Sequence, residues 1–308
     1  MKHFINLKDI PATDLRKIIV DAKKRKKLRK KLNTLEIDKD APLKGKLLIQ
    51  MFEKSSLRTR LSFYLAIKQL GGGTLTLRSN ELHLGQGSES IADTAKILST
   101  YSDGFMLRTD SDKKVENFKN HLSIPIINGL SPSSHPTQVL SDIFTVEEIK
   151  NKSISKLNIC WIGDSNNVLD SLIAASVKFS FKLTIGCPKK FEPGKKVRDW
   201  VKKNKRKIFV YNNAKKAVIG ADVIFSDKVI SLNDKVNKKK KIEQFKKFKI
   251  DKKLMKLSNN AIFLHCLPRG DEVSDEVFLG NKSHVWQQAL NRVHVQKSIL
   301  LYCFGKLR

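Results

Sequence analysis

The stretch KLLIQMFEKSSLRTRLSFYLAIKQL, residues 46–70, contains an apolar run, a polar turn and a helical pattern in that order. The apolar run predicts a buried strand, and the helical pattern predicts a helix that ends at the three glycines of residues 71–73. A strand that leads through a short turn into a helix is the first part of a βαβ unit. We therefore expect a parallel sheet that is covered by helices.

The same alternation continues to the end of the chain, with helical stretches such as NNVLDSLIAASVKF (166–179) between apolar runs. A chain of 308 residues is about twice the length of a typical domain. The pattern predicts an α/β fold class with two doubly wound parallel-sheet domains joined by interdomain helices. The helical stretch HPTQVLSDIFTVEEIK, residues 135–150, is the predicted boundary. The predicted strands are residues 46–52, 74–77, 104–108, 124–128, 157–163, 182–187, 207–211, 222–226 and 261–267.

The composition is typical of a soluble globular protein, with 40% hydrophobic and 29% charged residues. No apolar run approaches the roughly 20 residues that span a bilayer, and the start MKHFINLKDI lacks the apolar stretch of a signal peptide. The four cysteines are too far apart for a metal site and too few for a disulfide framework. We therefore expect a cytoplasmic protein with reduced thiols and no membrane association.

The net charge of +30 raises the question of a nucleic-acid partner. The chain has 48 Lys but only 12 Arg, whereas bidentate recognition of phosphates and bases favours Arg. The lysines form runs at 23–31, 202–207 and 238–241, with little aromatic interleaving for base stacking. We interpret these runs as a solvated, lysine-rich surface, and nucleic-acid binding is kept as the alternative.

The polar turn after the first predicted strand is suited to bind an anion. Ser55 or Ser56 can cap the following helix, whose first N–H groups have no partner within the helix. The hydroxyl groups of Ser56 and Thr59 and the guanidinium groups of Arg58 and Arg60 add further donors. Taken alone, this stretch fits either an oxyanion site or a capped helix with solvated arginines.

Ligands of open parallel sheets bind beyond the carboxyl ends of the strands, so the residues that follow the other predicted strands are also candidates. Arg108 ends one predicted strand of the first half. His135 and Gln138 follow the next one, on a loop rich in Gly, Ser and Pro that can present them to a ligand. An ordinary surface histidine is the alternative for His135.

In the second half, Asn166 and Asn167 offer amide groups at a predicted helix start. The glycine spacing of a dinucleotide site is absent there. Asp227 ends a predicted strand, where its carboxylate is suited to bind an amino group. His265 and Cys266 end the last strand, but adjacent strand residues point to opposite faces, so they do not form a ready base and nucleophile.

Six motifs together resemble those of the ornithine carbamoyltransferases: FEKSSLRTR, Arg108, HPTQ, WIGDSNNV, HCLPR and the pair Asn291-Arg292. The resemblance implies transfer of a carbamoyl group from carbamoyl phosphate to the δ-amino group of L-ornithine, giving L-citrulline and phosphate in arginine biosynthesis. It also implies a homotrimer and no metal or organic cofactor. The implied domains are residues 1–140 for carbamoyl phosphate, residues 141–285 for ornithine, and a carboxyl-terminal helix, residues 286–308, that packs on the first domain.

The resemblance also implies roles for individual residues. Thr59, Arg108 and His135 would stabilise the carbonyl oxygen as it gains negative charge, and either phosphate or Cys266 would accept the proton of the amine. The implied catalytic residues are Arg108, His135 and Cys266. The implied carbamoyl phosphate ligands are Ser56, Leu57 (through its backbone), Arg58, Thr59, Arg108, His135, Gln138, Cys266, Leu267 and Arg292, and the implied ornithine ligands are Asn167, Asp227, Ser231 and Leu232.

Several positions differ from the family pattern, most of them on the amino-acid side. Leu57 replaces a usual Thr or Met, and Lys228 replaces a small polar residue beside Asp227. Asn233 stands in place of a Gly in the loop that follows, and loss of that Gly is expected to stiffen or reshape the loop. Leu290 stands where an acidic residue usually precedes the final Asn-Arg pair.

Other amines are alternative acceptors of the carbamoyl group. An aspartate carbamoyltransferase is expected to carry His-Pro before Leu-Pro-Arg, so Cys266 favours ornithine. N-acylornithine and putrescine are further alternatives, but Asp227 favours a free α-amino group, because an acylated amine would leave the carboxylate unpaired. From a different class, the alternative is a basic nucleic-acid-binding protein with an enzyme-like core.

Overall fold

The computed structural model describes residues 1–78, 89–230 and 237–307. The chain divides into two compact units: unit 1 consists of Met1–Phe144 and Ala289–Arg308, and unit 2 of Thr145–Gln288. The division between Phe144 and Thr145 falls within the predicted boundary helix, residues 135–150. The assignment of one substrate to each of the predicted domains stays a prediction at this point.

Strands and helices alternate along the described residues. The strands are β1 Leu47–Phe52, β2 Gly73–Arg78, β3 Gly104–Arg108, β4 Ile126–Leu130, β5 Asn158–Ile162, β6 Lys182–Gly186, β7 Phe209–Tyr211, β8 Val223–Ser226 and β9 Ile262–His265. The helices are α1 Ala12–Leu28, α2 Leu57–Gln69, α3 Ile91–Tyr101, α4 Asp112–His121, α5 Pro136–Lys150, α6 Asn167–Phe179, α7 Lys195–Lys203, α8 Ala214–Val218, α9 Lys238–Phe245, α10 Lys252–Lys256, α11 Asp275–Phe278 and α12 Val285–Cys303. Of the helices in the described ranges, none is both long and apolar enough to cross a bilayer.

Unit 1 contains a four-stranded sheet in the order β2-β1-β3-β4, in which every neighbouring pair is parallel. Phe105 of β3 packs on Phe118 of α4 with ring centroids 5.1 Å apart, and Leu98 of α3 belongs to the same buried cluster. Phe63 of α2 is also fully buried. The alternating pattern of the first half therefore forms one sheet with helices packed against it.

Unit 2 contains a five-stranded parallel sheet in the order β7-β6-β5-β8-β9. Its helix α6 buries Leu169, Leu172 and Ile173, as the apolar pattern of this helix requires. Phe263 of β9 and Ile224 of β8 lie in one buried cluster with residues of α8 and α11. The predicted α/β fold class with two parallel-sheet domains is confirmed.

The strand order of unit 1 decides which loops meet at the carboxyl edge of its sheet. Because β1 neighbours β3 and β3 neighbours β4, the segments 53–59, 108–111 and 131–138 lie at one edge. The N–H of Glu53 donates to the carbonyl oxygen of Arg108 at 3.0 Å, which extends the β1–β3 ladder into the loops. The fold therefore brings together the predicted candidates of the first half.

The same rule applies within unit 2. There β8 lies between β5 and β9, so the segments 163–167, 227–230 and 265–270 lie at one edge of the sheet. The N–H of Cys266 donates to the carbonyl oxygen of Ser226 at 3.3 Å, beyond the end of β9. The asparagine, aspartate and cysteine candidates of the second half are therefore neighbours.

Candidate active site

The turn between β1 and α2 presents a helix N-terminus at the edge of the unit 1 sheet. Ser56 takes the N-cap position in an extended conformation, and α2 begins at Leu57. Of the two predicted caps, Ser55 and Ser56, Ser56 therefore occupies the N-cap position, but its hydroxyl makes no capping hydrogen bond. The first N–H groups of a helix have no partner inside it, and this end of the helix dipole favours an anion.

Thr59 and Arg292 are joined by a buried hydrogen bond within unit 1. Arg292 lies in α12, and its Nη2 donates to the Thr59 hydroxyl at 2.7 Å. Only 1% of Thr59 and 2% of Arg292 are exposed. A charge this deeply buried requires polar or anionic partners. The structure thus brings Arg292 to the β1–α2 turn, while its contact with a substrate stays a prediction.

His135, at the start of α5, is buried among cations. The pKa of His135 is well below its usual value of 6.5, first because of burial and then because of the positive charges of Arg292, Arg108 and Arg58. The three guanidinium groups are therefore close enough to the imidazole for their positive charges to disfavour its protonation. We call Arg58, Arg108 and Arg292 the arginine cluster. It favours an anionic ligand beside a neutral imidazole.

Gln138 presents a buried acceptor in the same region of unit 1. Its Nε2 donates to Asp142 Oδ1 at 2.8 Å, which fixes the orientation of the amide. Its Oε1 is buried and accepts no hydrogen bond from any residue in the described part of the chain. A buried acceptor without a donor costs about 1–3 kcal/mol. The Gln138 Oε1 atom is therefore suited to accept a hydrogen bond from an N–H group of a ligand.

In unit 2, Asn166 and Asp227 are joined at the edge of the sheet. Asn166 Nδ2 donates to Asp227 Oδ2 at 2.8 Å, and Asn167 is the first residue of α6. Burial raises the pKa of Asp227, an effect opposed by His265, the Lys228 N–H and Asn166. The structure therefore couples Asp227 to Asn166, which was not among the predicted ligands.

The segment after β9 is held by a buried pair, His265 and Glu272. Leu267 N–H donates to His265 Nδ1 at 2.9 Å, so the other ring nitrogen of a neutral imidazole, Nε2, carries the proton and donates to Glu272 Oε1 at 2.9 Å. The same Glu272 oxygen accepts from Gly270 N–H at 2.6 Å. These bonds fix the backbone around Cys266 and Leu267, and they give His265 a structural role.

Two family models together match most of the chain. The carbamoyl-phosphate-binding domain of aspartate/ornithine carbamoyltransferases matches residues 2–148, and the Asp/Orn-binding domain of the same family matches residues 155–303. The chain belongs to the aspartate/ornithine carbamoyltransferase family. The resemblance inferred from the six motifs is thereby confirmed.

Individual members of this carbamoyltransferase family resemble the chain over nearly its whole length. An ornithine carbamoyltransferase from Agrobacterium fabrum is 41% identical over 99% of this chain and 98% of the relative. One from Rhizobium meliloti is 42% identical over 99% of each. The ornithine carbamoyltransferase structure from Pyrococcus furiosus has a TM-score of 0.91 at 36% identity, covering 99% of this chain and 97% of that one. The anabolic enzyme structure from Campylobacter jejuni has a TM-score of 0.89 at 34% identity, covering 99% and 100%.

Glu53, in the turn between β1 and α2, carries a carboxylate that was not among the residues predicted from the sequence. The Thr109 hydroxyl and the Lys114 ammonium group both donate to its carboxylate, and its side chain is 10% exposed. It thereby ties the end of β1 to the segment after β3 and to α4. The sequence could have pointed to Glu53 only through its position at the start of the turn. Its partners, Thr109 and Lys114, lie 56 and 61 residues away, so no local pattern identifies them.

Lys241 corrects the interpretation of the lysine run 238–241 as a solvated surface. Whereas residues 238–240 are exposed, Lys241 is 2% exposed and its Nζ lies 2.5 Å from Asp164 Oδ2. Its ammonium group also lies 5.4 Å from the ring centroid of Phe191. The other lysines of the run face solvent because only one side of helix α9 packs against the rest of unit 2.

Two predicted ornithine ligands, Ser231 and Leu232, lie outside the described residues, as does Asn233 of the altered loop. Lys228, the other departure from the family pattern, is partly buried. Its Cγ would lie 3.6 Å from a Cβ added at Gly270. The Lys228 stem therefore runs beside the segment that follows Cys266.

Proposed function

We propose that the protein is an ornithine carbamoyltransferase, which transfers the carbamoyl group of carbamoyl phosphate to the δ-amino group of L-ornithine. The products are L-citrulline and phosphate, in a step of arginine biosynthesis. Family membership and the activities named for the similar proteins support the proposal. The observation that carries it is the arginine cluster around neutral His135, since a phosphate and a carbonyl oxygen that gains charge both need such donors.

In unit 1, the start of α2 binds the phosphate group of carbamoyl phosphate. The donors are the Ser56 hydroxyl, the Leu57 N–H, the Arg58 guanidinium and the Thr59 hydroxyl. The N–H groups and the dipole at a helix start stabilise an anion without any movement of the protein. The same donors stabilise the phosphate as it leaves with additional negative charge.

The carbamoyl group is bound by the other unit 1 residues. Arg108 and His135 donate to its carbonyl oxygen, and Gln138 Oε1 accepts from its NH₂ group. Arg292 stabilises the developing negative charge through its position beside Thr59. Since His135 is neutral, it acts as a hydrogen-bond donor and does not add a further cation.

Unit 2 binds the amino acid. Asp227 accepts the α-ammonium group of ornithine, and Asn167 binds the same end of the molecule. Ser231 and Leu232 belong to the proposed ligand set. Cys266 and Leu267 act beside the reacting δ-amino group and the carbamoyl group. An N-acylated ornithine would leave the Asp227 carboxylate without its partner, which favours the free amino acid.

The δ-amino group must lose a proton, because a lysine-like pKa of about 10.4 keeps it charged near neutral pH. The neutral amine then forms a bond to the carbamoyl carbon, and the bond between that carbon and the bridging phosphate oxygen breaks. One further N–H proton leaves the new amide. Phosphate and Cys266 are the two candidate acceptors of a proton.

The direct test is a product assay on the purified protein with carbamoyl phosphate and a panel of amines. The panel contains L-ornithine, N-acetylornithine, putrescine and L-aspartate, which represent the alternative acceptors. We expect citrulline from ornithine and little product from the other three. Turnover of another amine without turnover of ornithine would overturn the substrate assignment.

Arg58→Ala tests the phosphate site. We expect kcat/KM for carbamoyl phosphate to fall about 100- to 1000-fold, because a charged donor to the leaving group is lost. The matched control is Arg198→Ala in unit 2, where the exposed Arg198 pairs only with Glu192 among the described residues, and it should keep wild-type rates. An Arg58→Ala enzyme with wild-type activity would refute the phosphate assignment.

We also propose that the enzyme is a cytoplasmic homotrimer. The four free cysteines fit a reducing compartment. The exposed apolar side chains of Leu57, Leu61 and Tyr64 follow one face of α2, and those of Ile97 and Tyr101 follow one face of α3. Exposed apolar patches of this kind mark surfaces that bind other proteins, here a second copy of the chain.

A further inference from the structure

We propose that Asn166 is the positioning residue for Asp227: it holds this carboxylate in the orientation that binds the α-ammonium group of the amino-acid substrate. The inference rests on the proposed function and deepens it. Asn166 touches no substrate in this scheme and acts through Asp227 alone. It therefore sets how well the amino acid is bound, and it has no direct part in carbamoyl transfer.

Both ends of the Asn166 amide are engaged, which fixes its orientation. The Oδ1 atom caps α6 by accepting from the N–H groups of Val168 and Leu169, each at 3.0 Å. The Nδ2 atom donates to Asp227 Oδ2 at 2.8 Å. A flipped amide would lose both capping bonds and place its oxygen against the carboxylate. The helix cap thus decides that a donor faces Asp227.

The turn that carries Asn166 is itself anchored within unit 2. Trp161 Nε1 donates to the carbonyl oxygen of Asp164 at 3.2 Å, and buried Lys241 pairs with the Asp164 carboxylate. A group that orients another must be held by its own supporting contacts. The contacts of Asp164 supply that support two residues before Asn166.

The Asp227 carboxylate keeps acceptor capacity beyond its bond to Asn166. Two carboxylate oxygens offer about four lone-pair sites, and in the described part of the chain the donors that face them are Asn166 Nδ2 and the N–H of Lys228. Among the described residues, the charged and titratable groups around Asp227 are His265 on β9, Glu272 after it and Lys228 beside it. One fixed oxygen sets the plane of the carboxylate, and the remaining lone-pair sites can accept from an ammonium group.

Asn166→Ser separates the two functions of the side chain. A serine hydroxyl is a good N-cap, so α6 keeps its cap, but it is too short to reach Asp227. We expect KM for ornithine to rise about tenfold, the typical effect of losing a hydrogen bond to a charged group, while KM for carbamoyl phosphate stays within about twofold. The matched control is Asn213→Ser. Asn213 caps α8 through a bond to Lys216 N–H at 3.1 Å, and replacing this asparagine should change neither KM.

The pH profile distinguishes positioning from a merely structural role. Asp227 binds an ammonium group only when it is ionised, so kcat/KM for ornithine falls as the pH drops through the pKa of Asp227. A donor to the charged form lowers that pKa, and its removal raises it. We therefore expect the acid limb of the profile to move to higher pH in Asn166→Ser and to stay in place in Asn213→Ser.

Coupling to Asp227 completes the test. In an Asp227→Asn background, Asn166→Ser should add less than about twofold to the loss in kcat/KM, since residues that act as a unit are not additive. Unchanged ornithine kinetics, equal losses for both substrates, an unmoved acid limb or fully additive losses would each overturn the inference. A wild-type enzyme that makes no citrulline would instead overturn the proposed function. In that case calorimetry with L-norvaline, which lacks the δ-amino group, would still show whether Asn166→Ser weakens binding of the amino-acid end.

Discussion

At the scale of single residues, burial decides which chemistry His135 performs. An exposed histidine titrates near 6.5, within the physiological range. His135 is 2% exposed and lies among three arginines, so its neutral form is favoured and its pKa is well below that value. A neutral imidazole donates a hydrogen bond to a carbonyl oxygen without competing with the arginines for the phosphate charge. The histidine is thus a donor near neutral pH and not an acid.

We expect His135→Ala to lower kcat about 100- to 1000-fold, through loss of a donor to the developing oxyanion. Because protonation would add a fourth positive charge to the arginine cluster, wild-type kcat/KM for carbamoyl phosphate should show no step from His135 between about pH 6 and 8. Steady-state rates over this range check both statements, with the exposed His121→Ala as control. Wild-type kcat in His135→Ala, or a wild-type step near pH 6.5 that this variant lacks, would contradict the assignment.

At the scale of elements, the β1–α2 turn depends on Glu53 for its position. The carboxylate binds Thr109 after β3 and Lys114 in α4 at the same time. Ser56, the N-cap of α2 and part of the proposed phosphate site, follows three residues later. A turn anchored at its first residue by two such bonds is better able to present its N–H groups in one conformation, which is what an anion site requires.

Glu53→Gln removes the charge but keeps the size of the side chain. We expect KM for carbamoyl phosphate to rise about fivefold, with KM for ornithine unchanged, because the loss of a hydrogen-bonded pair of roughly 1–3 kcal/mol loosens only the unit 1 turn. Separate titrations of the two substrates measure this split. Glu116→Gln is the control, since Glu116 makes an exposed pair with Lys119. Equal changes in both KM values would show that Glu53 supports general stability and not the turn.

The elements themselves were predictable, whereas their polar anchors were not. The periodicity of hydrophobic residues and the apolar runs identified β1, β3 and β5 and the helices between them, because burial leaves a local pattern in the sequence. The partner of Asn166 lies 61 residues away and that of Lys241 lies 77 residues away. No local pattern reports such pairs, because they depend on which strands become neighbours. The two adjacent asparagines therefore looked equivalent, whereas in the structure Asn166 takes the N-cap position of α6 and donates to Asp227.

At the scale of the whole molecule, the charge of +30 combines cations with different functions. Lys297 is fully buried and pairs with Asp38, and burial lowers the pKa of Lys297 to about 8. Lys241 anchors a loop, and the arginine cluster surrounds His135. The remaining lysines are mostly exposed. A count of charges from the sequence cannot separate these groups, because it does not report which side chains are buried.

The same charge opposes assembly, so a homotrimer of this chain must bury enough apolar surface to overcome repulsion between its basic subunits. Mass photometry should give about three times the chain mass of 35.0 kDa, and added salt should favour the trimer because it screens the repulsion. Leu61→Lys places a charge on the apolar face of α2 and should yield monomers, because burying an unpaired charge in an interface is costly. Leu28→Lys, at another exposed leucine at the end of α1, should leave the trimer intact. A wild-type monomer with full citrulline synthesis would refute the trimer.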